Sequence, residues 1–382
     1  MAPIALAFGL LELTGSTGDA SIVIAAPILA QIAVLLVGGT LADRTSRKRS
    51  MVVAEGLAGA SQLVIATLFI TGLATVPALA VLMGLNGVAV ALFLPAATGF
   101  IPQVVERAHL QSANSLLGAV RSAAQMGGAA LAGVLVALFG AGPTIAIDGV
   151  TYLVSAVLLA RIRAEARART GDATLVEDLK LGWKEFVSHP WLVAIVAQFS
   201  VMFAAFEATF GLLGPAIARL RMNGSVDWGI IAASAGLGTV VGGIIAMHLT
   251  VERPMLVATS LCFLFCGTSL TLALQSPLEL VALGAFIGGV AGQMFAVLWY
   301  TTLQVEIPED MLSRVSAYDH LGSIALAPLG IVIAGVLFES LGPTPTLWIA
   351  VAAILLPTAL VLLVPSVWTL ESKASEPSVP RA

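Results

Sequence analysis

The chain has 382 residues, 58% of them hydrophobic and only 10% charged, with a mean hydropathy of +1.00. Soluble domains carry about 25% charged residues; a soluble protein of this length could not cover its surface with so few, so the composition excludes that class and points to a membrane protein. The formal net charge of −4 excludes little, because where the charges fall matters more than their sum.

A helix needs about 20 apolar residues to cross a bilayer. The chain opens on MAPIALAFGLLEL, thirteen helix-compatible residues before Thr14-Gly15-Ser16. At ~1.5 Å per residue they reach ~20 Å, short of a ~30 Å hydrocarbon core. The stretch lacks the basic flank and small-residue cleavage site of a signal peptide, and Glu12 interrupts its end. It reads as the second half of a first transmembrane helix: either the reading frame starts upstream, or a half-helix is tolerated. Eleven full spans follow, at 19–42, 50–72, 76–100, 111–138, 143–162, 191–217, 227–249, 254–275, 278–303, 313–339 and 345–365. Pro77, Gly140 to Pro143, His189-Pro190, Asn223-Gly224, Pro254, Pro277 and Gly342 to Pro345 punctuate them. The longest polar stretch, 161–190, contains TLVEDLKLGWKEF, with Leu175, Leu179, Trp183 and Phe186 near helical spacing. This predicts an amphipathic helix, lying on the membrane surface or packed on the protein. Cys262 and Cys266 fall on one helix face as small apolar residues, with no disulfide framework or metal site implied.

With the half-span, twelve elements form two sets of six, and the sets repeat. AGVL stands at 132–135 and again at 334–337; at the same offset Gly140 aligns with Gly342 and Pro143-Thr144 with Pro345-Thr346. Gln103-Val104 meets Gln304-Val305 one residue out of that register. Duplicated six-helix halves are a transporter architecture with the site between the halves. The predicted division is a first half at 1–162, a linker with the amphipathic helix at 163–190, a second half at 191–365 and a disordered tail at 366–382. Connections on the side of residues 42–50, together with the tail, hold 15 of the 18 lysines and arginines. The positive-inside rule then places that side, and both termini, in the cytoplasm of a cell whose plasma membrane the chain crosses many times.

The charge is densest in GGTLADRTSRKR, residues 38–49. A turn this short between membrane helices is no nucleic-acid patch, and no nucleic-acid partner is expected. Its basic residues suit cytoplasmic topology or a structural clip. Asp43 needs more: it falls at the C-terminal end of its helix, where the macrodipole already presents negative charge, unless the N-terminus of another span stabilises it. The pattern Gly39-x-Leu41-Ala42-Asp43-Arg44-x-x-Arg47-Lys48-Arg49 resembles the loop 2–3 signature of the major facilitator superfamily, with Ser46 where that family has glycine. LELTGS (11–16), ANSLLGAVRSAA (113–124), Asp148 and RVSAYDHLGSIALAPLG (314–330) extend the likeness to its drug and siderophore exporter branch, which includes the enterobactin exporter and macrolide efflux proteins.

The resemblance implies an all-α membrane protein with the major facilitator fold, two six-helix halves related by a pseudo-two-fold axis, its first helix truncated. It implies that Asp43 caps the N-terminus of helix 11, near Ser313-Arg314, while Arg44, Arg47, Lys48 and Arg49 meet acids on the cytoplasmic face. Together these latch that side shut. The gate acid candidates are Glu55, Glu106, Glu306, Glu309, Asp310 and Asp319. Two departures stand out: Gly127-Gly128-Ala129 replaces the Gly-Pro usual in helix 5 of such antiporters, and the loop 8–9 copy of the signature keeps only Gly242-Gly243 and Glu252-Arg253.

Polar groups inside spans are costly and are functional candidates. Arg121 lies near the middle of helix 5, as a structural pair or as cavity electrostatics. Glu207, sixteen residues into helix 7, sits where hydrocarbon disfavours a charge, so it is the candidate to load and release a proton. Asn86, Gln125, Gln198 and Gln293 can join helices or meet substrate. The resulting expectation is a proton-coupled exporter of small amphipathic molecules, drugs or siderophore-like compounds, working by alternating access. It would need a small-molecule substrate, protons and the lipid bilayer, act as a monomer, and use no cofactor or metal. No phosphate-binding GxxxxGK is present. No HExxH or paired intramembrane aspartates support an enzyme. A truncated relative that does not transport is the alternative.

Overall fold

A computed structural model describes residues 1–44, 46–104, 110–162, 175–249 and 251–370, with most of their side chains. Among them there is no strand. The first set of helices is α1 (Ala2–Thr14), α2 (Thr17–Arg44), α3 (Arg47–Thr71), α4 (Val76–Val104), α5 (Leu110–Phe139) and α6 (Ala141–Arg161). A connecting helix, α7 (Leu175–Val187), follows. The second set is α8 (Pro190–Arg221), α9 (Gly224–His248), α10 (Pro254–Ala273), α11 (Leu278–Glu306), α12 (Glu309–Ile324 and Ala327–Leu341) and α13 (Pro343–Val361). A short α14 (Pro365–Trp368) ends the described chain. Every predicted full span therefore finds a helix. Ten helices among the described residues are long and apolar enough to cross a membrane. α1 remains a 13-residue half-length element.

The breaks follow local chemistry. Gly15 ends α1 and Gly72 ends α3 in the left-handed conformation, with φ of 66° and 71°. Gly140 and Gly342, the glycines that the internal repeat aligns, adopt nearly the same conformation, φ 80° ψ 179° and φ 87° ψ 172°. That region is open essentially to glycine alone. The same backbone kink thus sets the α5–α6 and α12–α13 corners, and the repeat in sequence is a repeat in structure.

In the first half α3 packs on α4 and α6, α2 on α4, and α1 on α5 and α6. In the second, α11 packs on α9 and α10, and α8 on α12 and α13. The halves meet along two seams, α2 against α12 and α5 against α9. The largest buried cluster joins both halves at the end opposite the basic connections, the far end. Leu10, Leu212, Leu213, Ile217 and Trp228 lie in it, all but fully buried.

The structure refines three expectations. α12 starts at Glu309, four residues before Ser313: Pro308 precedes it, and Glu309 and Asp310 occupy its first turn, where acids favour the helix dipole. α7 packs on the protein. Its Gly182 lies against Arg314 and Tyr318, its Phe186 is buried, and the Trp183 and Tyr318 rings meet edge-on with centroids 5.4 Å apart. The expected tail begins with α14, whose Val367 is fully buried in the second half. Val364 and Leu370, on either side of that turn, pack against the same cluster. Residues 163–174 and 371–382 of the predicted linker and tail lie outside the described residues.

Candidate functional site

A cavity of about 650 Å³ lies between the halves. Its walls come from α1 and α5 on one side and from α8, α9, α10 and α11 on the other. This volume falls within the range of small-molecule sites, about 300–1,000 Å³. Glu207 of α8 and Gln293 of α11 both line it, against Phe206, Phe210 and Trp228. Two of the polar residues singled out in the sequence are thereby brought to one site. Arg121 is exposed on α5, three residues before Ala124, which lines the cavity. That spacing puts both on one helix face. The side chain of Gln125 lies outside the described residues.

Local backbone geometry marks the Glu207 region. Just after it, Thr209–Leu213 form a π turn, in which Gly214 N–H bonds the carbonyl of Thr209. Pro215 has no N–H to offer the carbonyl four residues back, so the wider register relieves an interrupted ladder. Single π turns inside helices recur at functional sites. Thr209 is further tied to α10 by a 2.9 Å hydroxyl–hydroxyl hydrogen bond with Ser269.

A ladder of rings runs along α8 beside the cavity. Trp299 stacks on Phe295 at 5.8 Å, and Phe295 on Phe199 at 5.1 Å. Phe199 stacks on Phe203 at 5.8 Å; Phe206 meets Phe210 at 4.6 Å, and Phe210 meets Trp228 at 5.6 Å. Sequence reasoning passed over this stripe. Its signal is the spacing Phe199, Phe203, Phe206, Phe210, which follows one face of a 3.6-residue helix.

Two other polar candidates join helices. Asn86 Nδ2 donates to Ser61 Oγ at 2.6 Å, linking α4 to α3. Gln198 Nε2 donates to Thr358 Oγ1 at 3.0 Å, linking α8 to α13. Asp319 accepts from Trp299 Nε1 at 3.1 Å and is only 6% exposed, so it faces into the second half at this point. Glu55, half-buried on α3, bonds Ser155 of α6. Lys48 Nζ donates to the carbonyl of Ile162 at 2.7 Å, at the C-terminal end of α6, where a cation complements the helix dipole. Arg49 is exposed, and Arg47 and Glu306 are partly buried and engaged. Glu106, the surroundings of Gly39, and the side chains of Asp43, Arg44, Glu309 and Asp310 lie outside the described residues.

The far end holds a feature absent from the sequence reading. On one seam Thr17 Oγ1 donates to the carbonyl of Gly335 at 3.1 Å. On the other, Ser225 Oγ donates to the carbonyl of Gly133 at 3.0 Å. Gly133 and Gly335 are the glycines of the two AGVL repeats. A Cβ on Gly335 would stand 2.7 Å from the Thr17 carbonyl, and one on Gly133 2.5 Å from that of Ser225. Only glycine permits these approaches. The α2–α12 seam adds a clamp that has no twin, because Ala137 stands at the position equivalent to Glu339. Glu339 of α12 accepts from Ser16 Oγ at 2.6 Å and from Gly18 N–H at 2.9 Å. It therefore caps the N-terminus of α2 from the opposite half, where a carboxylate is favoured. Arg219 of α8 donates to the carbonyl of Leu11 in α1, a fourth tie between halves.

Residues 1–319 match the sequence profile of the Major Facilitator Superfamily. The chain is 26% identical over 371 residues to the multidrug efflux pump Tap of Mycolicibacterium fortuitum, covering 91% of this chain and 89% of that protein. It is 24% identical over 316 residues to the enterobactin exporter EntS of Shigella dysenteriae, covering 78% of this chain and 73% of that one. Its fold matches the crystal structure of a bacterial homologue of the iron transporter ferroportin in an inward-facing state. That match has a TM-score of 0.72 and 14% identity, and covers 95% of each chain.

Proposed function

The chain belongs to the Major Facilitator Superfamily, and on that premise we propose that it is a secondary active exporter of small amphipathic molecules, driven by protons and working by alternating access. The observation that carries the reading is the 650 Å³ cavity between the halves, which places Glu207 among apolar and aromatic walls. A carboxylate there is costly when charged and uncompensated. It can exchange its proton for a substrate, and so couple the two. The likeness to a multidrug efflux pump and an enterobactin exporter supports outward movement of amphipathic compounds.

Alternating access requires that each end of the two-half assembly open in turn. The far-end seams supply a closure that can be undone: beside the apolar cluster shared by the halves, it rests on hydrogen bonds through hydroxyls, a carboxylate cap and glycine contacts. In this reading the basic end is cytoplasmic, the far end faces outwards, and Glu339 holds the far end shut while the cytoplasmic side is open. Asp43, at the opposite end of the same α2–α12 pair, holds the cytoplasmic side shut in the other state. α2 and α12 thus carry reciprocal acid caps, one from each half.

The experiment is accumulation of a lipophilic dye in cells expressing the chain. Expression is expected to lower accumulation, and a protonophore to abolish the difference. Equal accumulation with and without expression, across a broad panel of dyes and antibiotics, would refute export. Asp43→Asn is expected to raise alkylation of cysteines placed in the cytoplasmic half of the cavity severalfold, as the resting population moves inward-facing. An unaltered labelling pattern would count against the latch. Glu339→Gln is expected to act in the opposite sense and more weakly, because an exposed charge at a helix N-terminus contributes roughly 0.3–1 kcal/mol. Its labelling should rise at the far end, and an unchanged far end would remove Glu339 from gating.

A further inference from the structure

We propose that a side cavity in the second half, built around Asp319, is a subsite for the cationic aromatic end of an amphipathic substrate. The assignment deepens the exporter reading and rests on it. The cavity has a volume of about 270 Å³ and shares Phe206, Phe265 and Gly292 as walls with the central cavity. It is smaller than a site for a whole drug-sized molecule, and of the size of one substituted ring or quaternary head group. A substrate seated there lies against the residues that separate it from the central cavity, on the side of Phe206, next to Glu207 in the chain.

The chemistry of the walls selects the sign of the charge. Phe199, Phe295, Trp299 and Tyr300 contribute aromatic surface, with the Phe199, Phe295 and Trp299 rings in one stack. Aromatic faces are electron-rich and attract cations, most strongly when water is excluded. Asp319 supplies the carboxylate, held in place by the 3.1 Å bond from Trp299 Nε1. Among the described residues that line the cavity there is no lysine or arginine, and His320 is the one side chain with a basic nitrogen. An anion placed here would meet ring faces and a carboxylate; an uncharged group would gain burial alone. A cation gains from the rings and the carboxylate together, and the stack gives a flat aromatic substituent something to lie against.

The test uses the full chain in lipid nanodiscs and reads binding rather than transport. Ala296 lines the cavity, so Ala296→Cys places a reporter thiol in its wall. The cationic probe is benzyltrimethylammonium, and the control is neopentylbenzene, its uncharged isostere. Benzyltrimethylammonium is expected to slow alkylation of the reporter at least fivefold at saturation, and neopentylbenzene to slow it by less than twofold. Asp319→Asn, which keeps an oxygen for the Trp299 indole, is expected to raise the half-protecting concentration of the cation at least tenfold. Equal protection by both compounds, or protection undiminished in Asp319→Asn, overturns the proposal; the first comparison stands even if the second variant folds poorly. An exporter of uncharged molecules would still lower dye accumulation while showing no cation-specific protection. A chain that binds the cation but exports nothing would show the reverse, so the two failures are distinct.

Discussion

Gly335→Leu is expected to abolish export and to leave the far end open. The Cβ alone would stand 2.7 Å from the Thr17 carbonyl and 2.9 Å from the Ser21 Cβ. α2 and α12 would have to separate to admit it, and the Thr17–Gly335 bond and both Glu339 bonds would be lost with the contact. Overpacking of a tight contact costs about 1–3 kcal/mol. Applied to one of two states, that shifts their populations by roughly 5- to 150-fold. A thiol introduced by Ala25→Cys, buried two turns into α2, should then be alkylated at least tenfold faster from outside. The protein should still fold, because the state with an open far end does not contain the contact. If the seam is a permanent part of the fold, the same leucine will lower the yield of folded protein and leave the labelling of the remainder unchanged. Gly133→Leu on the other seam should act in the same direction, since its contact with Ser225 is the twin of the first.

Glu207→Gln is expected to separate substrate movement from proton movement. The amide fills the same volume in the cavity wall and keeps hydrogen-bonding capacity, but takes up and releases no proton. In proteoliposomes, substrate-induced proton flux should fall to the background of empty liposomes. Exchange of labelled for unlabelled substrate at equilibrium, which needs no net proton transfer, should continue within about threefold of wild type. Proton flux that survives the substitution would assign coupling to another group. Loss of exchange together with coupling would make Glu207 a binding residue.

Much of the fold was legible because bilayer-spanning helices are set by one dominant requirement, apolar length, and by the turn residues between them. The Pro277, Asn223-Gly224 and Gly140 to Pro143 breaks fell where the chain turns. The internal repeat was also legible, and its physical meaning emerged only in space. AGVL recurs because its glycines are where the halves touch, and Gly140 and Gly342 recur because each makes the same left-handed corner. The site was less legible. Glu207 and Gln293 could be singled out as polar groups in apolar helices, but nothing in one sequence says that α8 and α11 bring them to one cavity. Asn86 and Gln198 had the same credentials and turned out to bond neighbouring helices. Glu339 was missed because a carboxylate near a helix end reads as an ordinary surface residue; its value lies in the Ser16–Gly18 turn of the other half, 321 residues away for its bond to Gly18. The start of α12 was set too late because its first turn is polar, and a search for apolar length cannot see it.

Proton-coupled export is tested most directly by substrate movement against a gradient. The protein is reconstituted in liposomes with a lipophilic dye at equal concentration on both sides, and a proton gradient is then imposed. Dye is expected to move uphill, opposite to the protons, an ionophore collapsing the gradient to stop it, and Glu207→Gln to remove it. Dye that only equilibrates downhill, at a rate indifferent to the proton gradient, would contradict proton-coupled export.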